Sequence, residues 1–180
     1  MTQTILHSSR SDEWYTPSYI IQLTTKVLGS IDLDPASCEI ANQIVKASRY
    51  IDKEEDGLTT SWGNLPVSLF LNPPSGKQEG KSLLKDFWER LLLHRSTGMI
   101  EHAIFMGFSL EQLQTTQSCS TPIAAFPICI PSKRVKFVSP SGDFNNPTHG
   151  QVIAYLPGLT NKTSLFYETF GELGICLSPR

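Results

Sequence analysis

Nothing else in this 180-residue chain limits the fold as sharply as Pro73-Pro74, placed directly after the apolar run Val67-Ser68-Leu69-Phe70-Leu71. The run has the length and composition of a buried strand. The two prolines lock φ, remove two backbone donors and hold the preceding residue extended, so the strand ends at Asn72 and leaves by a loop. The carbonyls of that loop have no competing amides beside them. The side-chain carbonyl of Asn72 and the main-chain carbonyl of Pro73 can together accept both hydrogens of one planar NH2 group. Drawing both N–H bonds toward acceptors frees the nitrogen lone pair for attack on an electrophile. Ser75 and Gly76 follow, and Gly76 leaves room for a ligand to come close.

Elements alternate around this strand. From Pro17, suited to a first helical turn, Ile20, Leu23, Thr24, Val27 and Leu28 recur at helical spacing until Gly29. Residues 31–34 form a short strand stopped by Pro35, and Ser37 caps a second helix reaching residue 48. An acidic, turn-rich connection covers 51–64. Leu83, Leu84, Phe87, Trp88, Leu91 and Leu92 stripe a third helix over 80–94. Strands are expected at 103–108, 123–130, 134–138 and 151–156, a helix at 163–173 and a closing strand at 174–177. This alternation predicts an α/β, mostly parallel sheet with flanking helices and an antiparallel C-terminal edge. Residues 1–12 read as a loose polar arm and 13–178 as a single domain. Ligands of such sheets bind at the carboxyl ends of the strands, where Asp34 and Asn72 would both lie.

The formal net charge of −2 excludes a broadly basic nucleic-acid footprint, so any such contact has to come from a local patch. The tight basic cluster is Lys133, Arg134 and Lys136, with Lys77, Lys81 and Lys85 as an extension. It can meet phosphates, or simply blunt an edge strand with solvated charge. Cys38, Cys119, Cys129 and Cys176 are scattered and read as small buried hydrophobes of a reducing cytosol. The four histidines share no metal-ligand spacing with them, so no metal is expected. The start of the chain does not read as a signal peptide, and no apolar run approaches membrane length.

Four motifs occur in order: Asp12-Glu13-Trp14-Tyr15-Thr16-Pro17, then Asp32-Leu33-Asp34-Pro35-Ala36-Ser37, then Asp56-Gly57-Leu58 with Trp62, then Leu71-Asn72-Pro73-Pro74. Behind them come Arg134-Val135-Lys136-Phe137, a turn around Pro147, Val152-Ile153-Ala154-Tyr155-Leu156 and Phe166…Phe170…Gly174. Over roughly residues 11–177 the chain thereby resembles the phage-type DNA N6-adenine methyltransferases.

The resemblance implies a Rossmann-like fold, S-adenosyl-L-methionine (SAM) as methyl donor and DNA as partner, in the cytoplasm of a bacterial or phage-infected cell. It implies that Asn72, Pro73, Pro74 and Ser75 form the catalytic loop. It implies that Trp14, Tyr15, Thr16, Pro17, Asp32, Asp34, Pro35, Ala36, Asp56 and Leu58 hold the cofactor, and that Lys77, Lys133, Arg134 and Lys136 meet DNA. Each motif has a plainer reading beside that one. Trp14–Pro17 stands before a helix N-terminus that favours an anion such as a methionine carboxylate, but it also suits a hydrophobic staple. Asp34 can accept from ribose hydroxyls or an amino group, or it can be a turn aspartate before Pro35. Asp56 can accept from the cofactor's adenine, with Leu58 packing on the ring, or belong to a solvated turn with Asp52, Glu54 and Glu55. The chain contains no G-x-G, so Asp34-Pro35-Ala36-Ser37 has to take the place of a glycine loop.

Ser75 departs from the family pattern, in which an aromatic ring after the two prolines stacks on the target base. Trp62, Phe108 or Phe144 could supply the ring instead, or the substrate could be single-stranded. The rival readings are a non-catalytic SAM-fold DNA-associated module and an amino- or amide-methyltransferase acting on RNA or protein. With no separate target-recognition domain in view, specificity is short and loop-borne, or comes from a partner or a homodimer.

Overall fold

The computed structural model describes residues 14–139, 141–144 and 148–179; the expected arm at 1–12, Asp12-Glu13 and the turn at Pro147 lie outside them. Helix α1, Ser18–Leu28, starts at an extended Pro17 and ends at Gly29, whose φ of 88° suits glycine and whose N–H bonds to the Thr25 carbonyl. It buries Ile20, Ile21, Thr24, Val27 and Leu28. Strand β1 (Leu33–Asp34), helix α2 (Glu39–Val45) and strand β2 (Arg49–Tyr50) follow, then β3 (Val67–Leu71), which ends where the prolines dictate. Strands β4 (Lys77–Gln78) and β5 (Lys81–Ser82) form a separate hairpin before helix α3 (Leu83–Ser96). Strand β6 (Ile100–Gly107), helix α4 (Gln112–Thr115), strands β7 (Ile128–Pro131) and β8 (Val152–Pro157), helix α5 (Thr163–Gly171) and strand β9 (Gly174–Leu177) complete the order.

The seven-stranded sheet runs β2-β1-β3-β6-β8-β7-β9. Pairings are parallel from β2 through β6 and antiparallel from β6 to β9. Only β8 and β9 are reversed, so the sheet is mostly parallel with an antiparallel C-terminal edge, the Rossmann-like arrangement expected. Successive residues serve opposite faces, which is why the central strands read as unbroken apolar runs. Leu69, Leu71, Ala103 and Phe105 meet α3, whereas Phe70, Ile104 and Met106 meet α1 and α5.

Several expected boundaries move. The cap of α2 is Cys38, whose Sγ accepts from the Ala41 amide at 3.4 Å, because the Ser37 amide is already bonded to the Ile51 carbonyl. The helix stops at Val45, since the amides of Ser48 and Arg49 bond the Ile31 and Asp32 carbonyls and return the chain to the sheet. Residues 80–82 belong to the hairpin, turned at Glu79 (φ 50°) and Gly80 (φ 80°), not to α3. Pro122 opens a short 3₁₀ turn, so β7 begins only at Ile128. Residues 134–138 form no sheet strand. Val135 and Phe137 point in and Arg134 and Lys136 out, but the Val135 amide donates to Gln151 Oε1 at 2.7 Å instead of to a neighbouring strand.

Candidate active site

The register of the parallel strands sets the depth of each motif. Leu33 pairs with Leu69 and Leu71 with Phe105, so Asp34 is level with Phe70 and Asn72 extends beyond it at the same, carboxyl end of the sheet. The first and fourth motifs meet there. Asn72 Nδ2 donates to Thr16 Oγ1 at 3.1 Å across 56 residues of sequence, and Thr16 is only 4% exposed. With its nitrogen engaged on Thr16, the half-buried Asn72 keeps Oδ1 as an acceptor, and among the described residues no hydrogen bond to Oδ1 is made. Pro73 is buried, whereas Pro74, Ser75 and Gly76 are exposed.

Thr16 is held in place by its neighbours. Tyr15 exchanges two main-chain bonds with Val138, at 2.7 and 2.9 Å, and its buried hydroxyl receives a contact from Cys38 Sγ at 3.7 Å. Pro17 then opens α1, whose amides at Ile20 and Ile21 turn back to the Pro17 carbonyl. Trp14 is 42% exposed.

The second and third motifs also meet. The Asp34 carboxylate is buried and accepts the Ala36 amide at 3.2 Å. Burial pushes its pKa up to about 7, against the pull of that amide. Pro35 is buried and Ala36 half-buried. A Cβ built on Gly57 would stand 1.8 Å from the Pro35 carbonyl oxygen and 3.1 Å from the Phe87 ring, so the two loops touch only because residue 57 is glycine. Asp56 adopts φ 58° and closes its own turn: Oδ1 accepts the Leu58 amide at 2.9 Å and Oδ2 the Thr59 hydroxyl at 3.0 Å. Leu58 packs against the α3-side core.

Trp62, which the third motif already includes, and Arg90, which no motif includes, hold this turn there. Trp62 Nε1 donates to the Gly57 carbonyl at 2.9 Å, and the Arg90 guanidinium donates to the carbonyls of Leu58 and Thr60 while lying 5.2 Å over the Trp62 ring. Nothing local in the sequence pairs Arg90 with a turn 30 residues earlier. Trp62 is thereby a buried anchor, 3% exposed, and is not free to stack on a substrate base. Asp32 does not join Asp34 and Ala36: it precedes β1, and its Oδ2 accepts the Ser68 amide at 2.8 Å, bracing β1 on β3.

Lys77 and Lys81 are exposed on the hairpin that follows the acceptor loop, whereas Lys85 turns to the Ser118 hydroxyl at 2.7 Å. Lys133, Arg134 and Lys136 are exposed on the non-strand segment leading to Val138, which bridges both Tyr15 and Phe144. Phe108 is half-buried just past β6, and Phe144 is exposed. A groove of about 790 Å³ between α1 and α2 and another of about 430 Å³ beside Asp32 and Trp62 involve neither Asp34 nor Asn72. Among the described residues no group of three or more His, Cys, Asp or Glu could hold a metal ion, and no helix is long and apolar enough to cross a membrane.

A protein-family model described as DNA N-6-adenine-methyltransferase (Dam) matches residues 3–105. The matched span holds all four motifs and stops within β6, before the basic segment. No curated protein and no solved structure matches the chain.

Proposed function

This chain belongs to the DNA N-6-adenine-methyltransferase (Dam) family, and from that premise we propose that it moves the methyl group of SAM to the N6 amino group of adenine in DNA. The observation that carries this reading is the hydrogen bond between Thr16 and Asn72, which joins the helix-entry motif to the acceptor loop at the carboxyl end of the sheet.

The residues present fit the cofactor. Asp34 is a buried carboxylate with one amide bonded to it and an elevated pKa, so it gains from any further donor such as a ribose hydroxyl. The first amides of α1, an 11-residue helix with no acidic side chain in its first turn, favour a carboxylate beside Thr16 and Pro17. Ala36 and Leu58 supply apolar surface, and Asp56 retains acceptor lone pairs beyond its two turn bonds. When bound, SAM supplies an electrophilic methyl group. Asn72 Oδ1 and the Pro73 carbonyl accept the two N–H bonds of the adenine amine and aim its lone pair. Thr16, by accepting from Nδ2, fixes the Asn72 amide and leaves Oδ1 free to accept. Catalysis of this kind is positioning and electrostatics, with no covalent enzyme intermediate.

Transfer of label from SAM to duplex DNA, single-stranded DNA, RNA and protein, offered separately, tests the reading. N6-methyladenine in DNA supports it. Label in RNA or protein alone would change the substrate, and no label anywhere would leave a non-catalytic module.

Asp34 makes cofactor binding pH-dependent. Its folded pKa of about 7 lies above the usual 3.8, so the stability it contributes is present below 3.8 and is lost as pH rises through 7. Each pH unit in that window costs up to about 1.4 kcal/mol. Donors from the cofactor favour the charged carboxylate, so SAM affinity should rise as pH passes 7, and Asp34→Asn should flatten that slope while raising the melting temperature at pH 8. Calorimetry at pH 6 and 8 checks both; a slope unchanged in Asp34→Asn would remove Asp34 from the site.

Lys77 and Lys136 are proposed to meet phosphates. Replacing either by alanine should weaken binding to all DNA sequences alike and lower the salt slope by about one, leaving cofactor affinity unchanged. Fluorescence anisotropy across a salt series reads this.

A further inference from the structure

An adenine drawn out of a duplex needs a surface to stack on, and the exposed Ser75 beside the acceptor loop has no ring to offer. Trp62 is committed to the Gly57 carbonyl and Arg90. Phe108 is packed against the α3-side core. Phe144 bridges Val138, which bridges Tyr15. Directly paired residues of an antiparallel ribbon share a face, so Phe144 stands on the Tyr15 side.

We propose that the indole of Trp14 is the surface on which the target adenine stacks. Tyr15 is held extended by its two bonds to Val138, and Pro17 is extended at φ −68° and ψ 149°. Side chains of an extended segment alternate, so Trp14 and Thr16 share one side about 7 Å apart along the chain, while Tyr15 turns away to Cys38. Thr16 is the residue in contact with Asn72. Trp14 therefore stands beside the amide that receives the adenine amine, and 42% of its surface is open. Stacking needs a π-face near the acceptor pair, not a particular place in the sequence, so a ring two residues before Thr16 can replace one at position 75. This assignment rests on the proposed adenine substrate and moves Trp14 from the residues expected to hold the cofactor to those that meet DNA.

The chain has three tryptophans, and Trp62 and Trp88 are 3% and 0% exposed, so Trp14 dominates the emission that a solute can quench. A single-stranded oligodeoxyadenylate should quench that emission, an abasic strand of equal length should not, and the difference should vanish in Trp14→Phe. In transfer assays Trp14→Ala should lower kcat/KM on duplex DNA about 5- to 150-fold, the equivalent of one lost base stack. Trp14→Phe should keep most of the rate, and the calorimetric SAM affinity of both variants should match wild type. Equal quenching by the abasic strand, quenching by SAM alone as deep as that by the oligodeoxyadenylate, or weaker SAM binding in Trp14→Ala would each overturn the proposal. If the wild-type protein transfers no methyl group, the proposed function fails, while the oligodeoxyadenylate and abasic strands still decide whether Trp14 stacks on adenine.

Discussion

Asn72→Ala should lower methyl transfer at least about 100-fold while the melting temperature and SAM affinity stay near wild type. Loss of one preorganised hydrogen-bonding group at a reacting centre costs about 10²–10³ in rate, and Asn72 supplies one of two acceptors for the attacking amine. The fold loses little. Asn72 is half-buried, its one bond runs to the Thr16 hydroxyl, and a neutral hydrogen bond contributes about 1 kcal/mol net. For a chain of this length that corresponds to about 2–4 °C in melting temperature. Asn72→Asp keeps an acceptor oxygen and lets Thr16 donate instead, so it should retain much more of the rate than alanine. Initial rates with calorimetric SAM titration and a thermal melt separate the effects. A near-wild-type rate would take Asn72 out of the chemistry, and a melting point lowered by more than about 10 °C would make it a structural turn residue.

The motifs of this site were legible in the sequence and their meeting points were not. Pro73-Pro74 and Gly29 announce the ends of β3 and α1 because proline and glycine act through their own covalent geometry, which no tertiary context alters. The alternation over 134–138 looks like a strand because inward Val135 and Phe137 are spaced like one; whether a ladder forms depends on a partner, and here the Gln151 side chain takes the amide. The hairpin at Lys77–Ser82 carries little signature in the sequence, because its residues are polar and show no apolar alternation, and only the Glu79-Gly80 turn marks it. Asp34 is marked by its place at the strand end before Pro35, but nothing in the sequence says that Asp32 braces the Ser68 amide. Thr16 and Asn72, 56 residues apart, carry no signature of contact until the sheet brings α1 against β3. The Asp56-Gly57-Leu58 turn misleads in a subtler way: the left-handed backbone sits on Asp56, and Gly57 is needed for closeness, not for φ.

Gly57→Ala should therefore damage both stability and cofactor binding, although it adds a single methyl group. The new Cβ would stand 1.8 Å from the Pro35 carbonyl oxygen and 3.0 Å from its carbon, which are main-chain atoms and cannot rotate away. Relief requires the Asp56-Gly57-Leu58 turn to move off the Asp34-Pro35-Ala36 loop, against the hold of Trp62 on the Gly57 carbonyl and of Arg90 on the Leu58 carbonyl. Overpacking of this kind costs about 3 kcal/mol, or about 6–12 °C in melting temperature for a chain of this length. A turn displaced by even 1 Å also separates Leu58 and Asp56 from Asp34, so SAM affinity should fall at least about tenfold. The same substitution at Gly171, the exposed last residue of α5, meets nothing within 4 Å and needs no left-handed φ. Gly171→Ala should be neutral or raise stability by up to about 1 kcal/mol through helix propensity. Thermal melts and SAM titrations of the two variants side by side make the comparison. A Gly57→Ala protein that melts and binds SAM like wild type would mean that the two loops need not touch, and the pairing of the second and third motifs as one cofactor wall would be wrong.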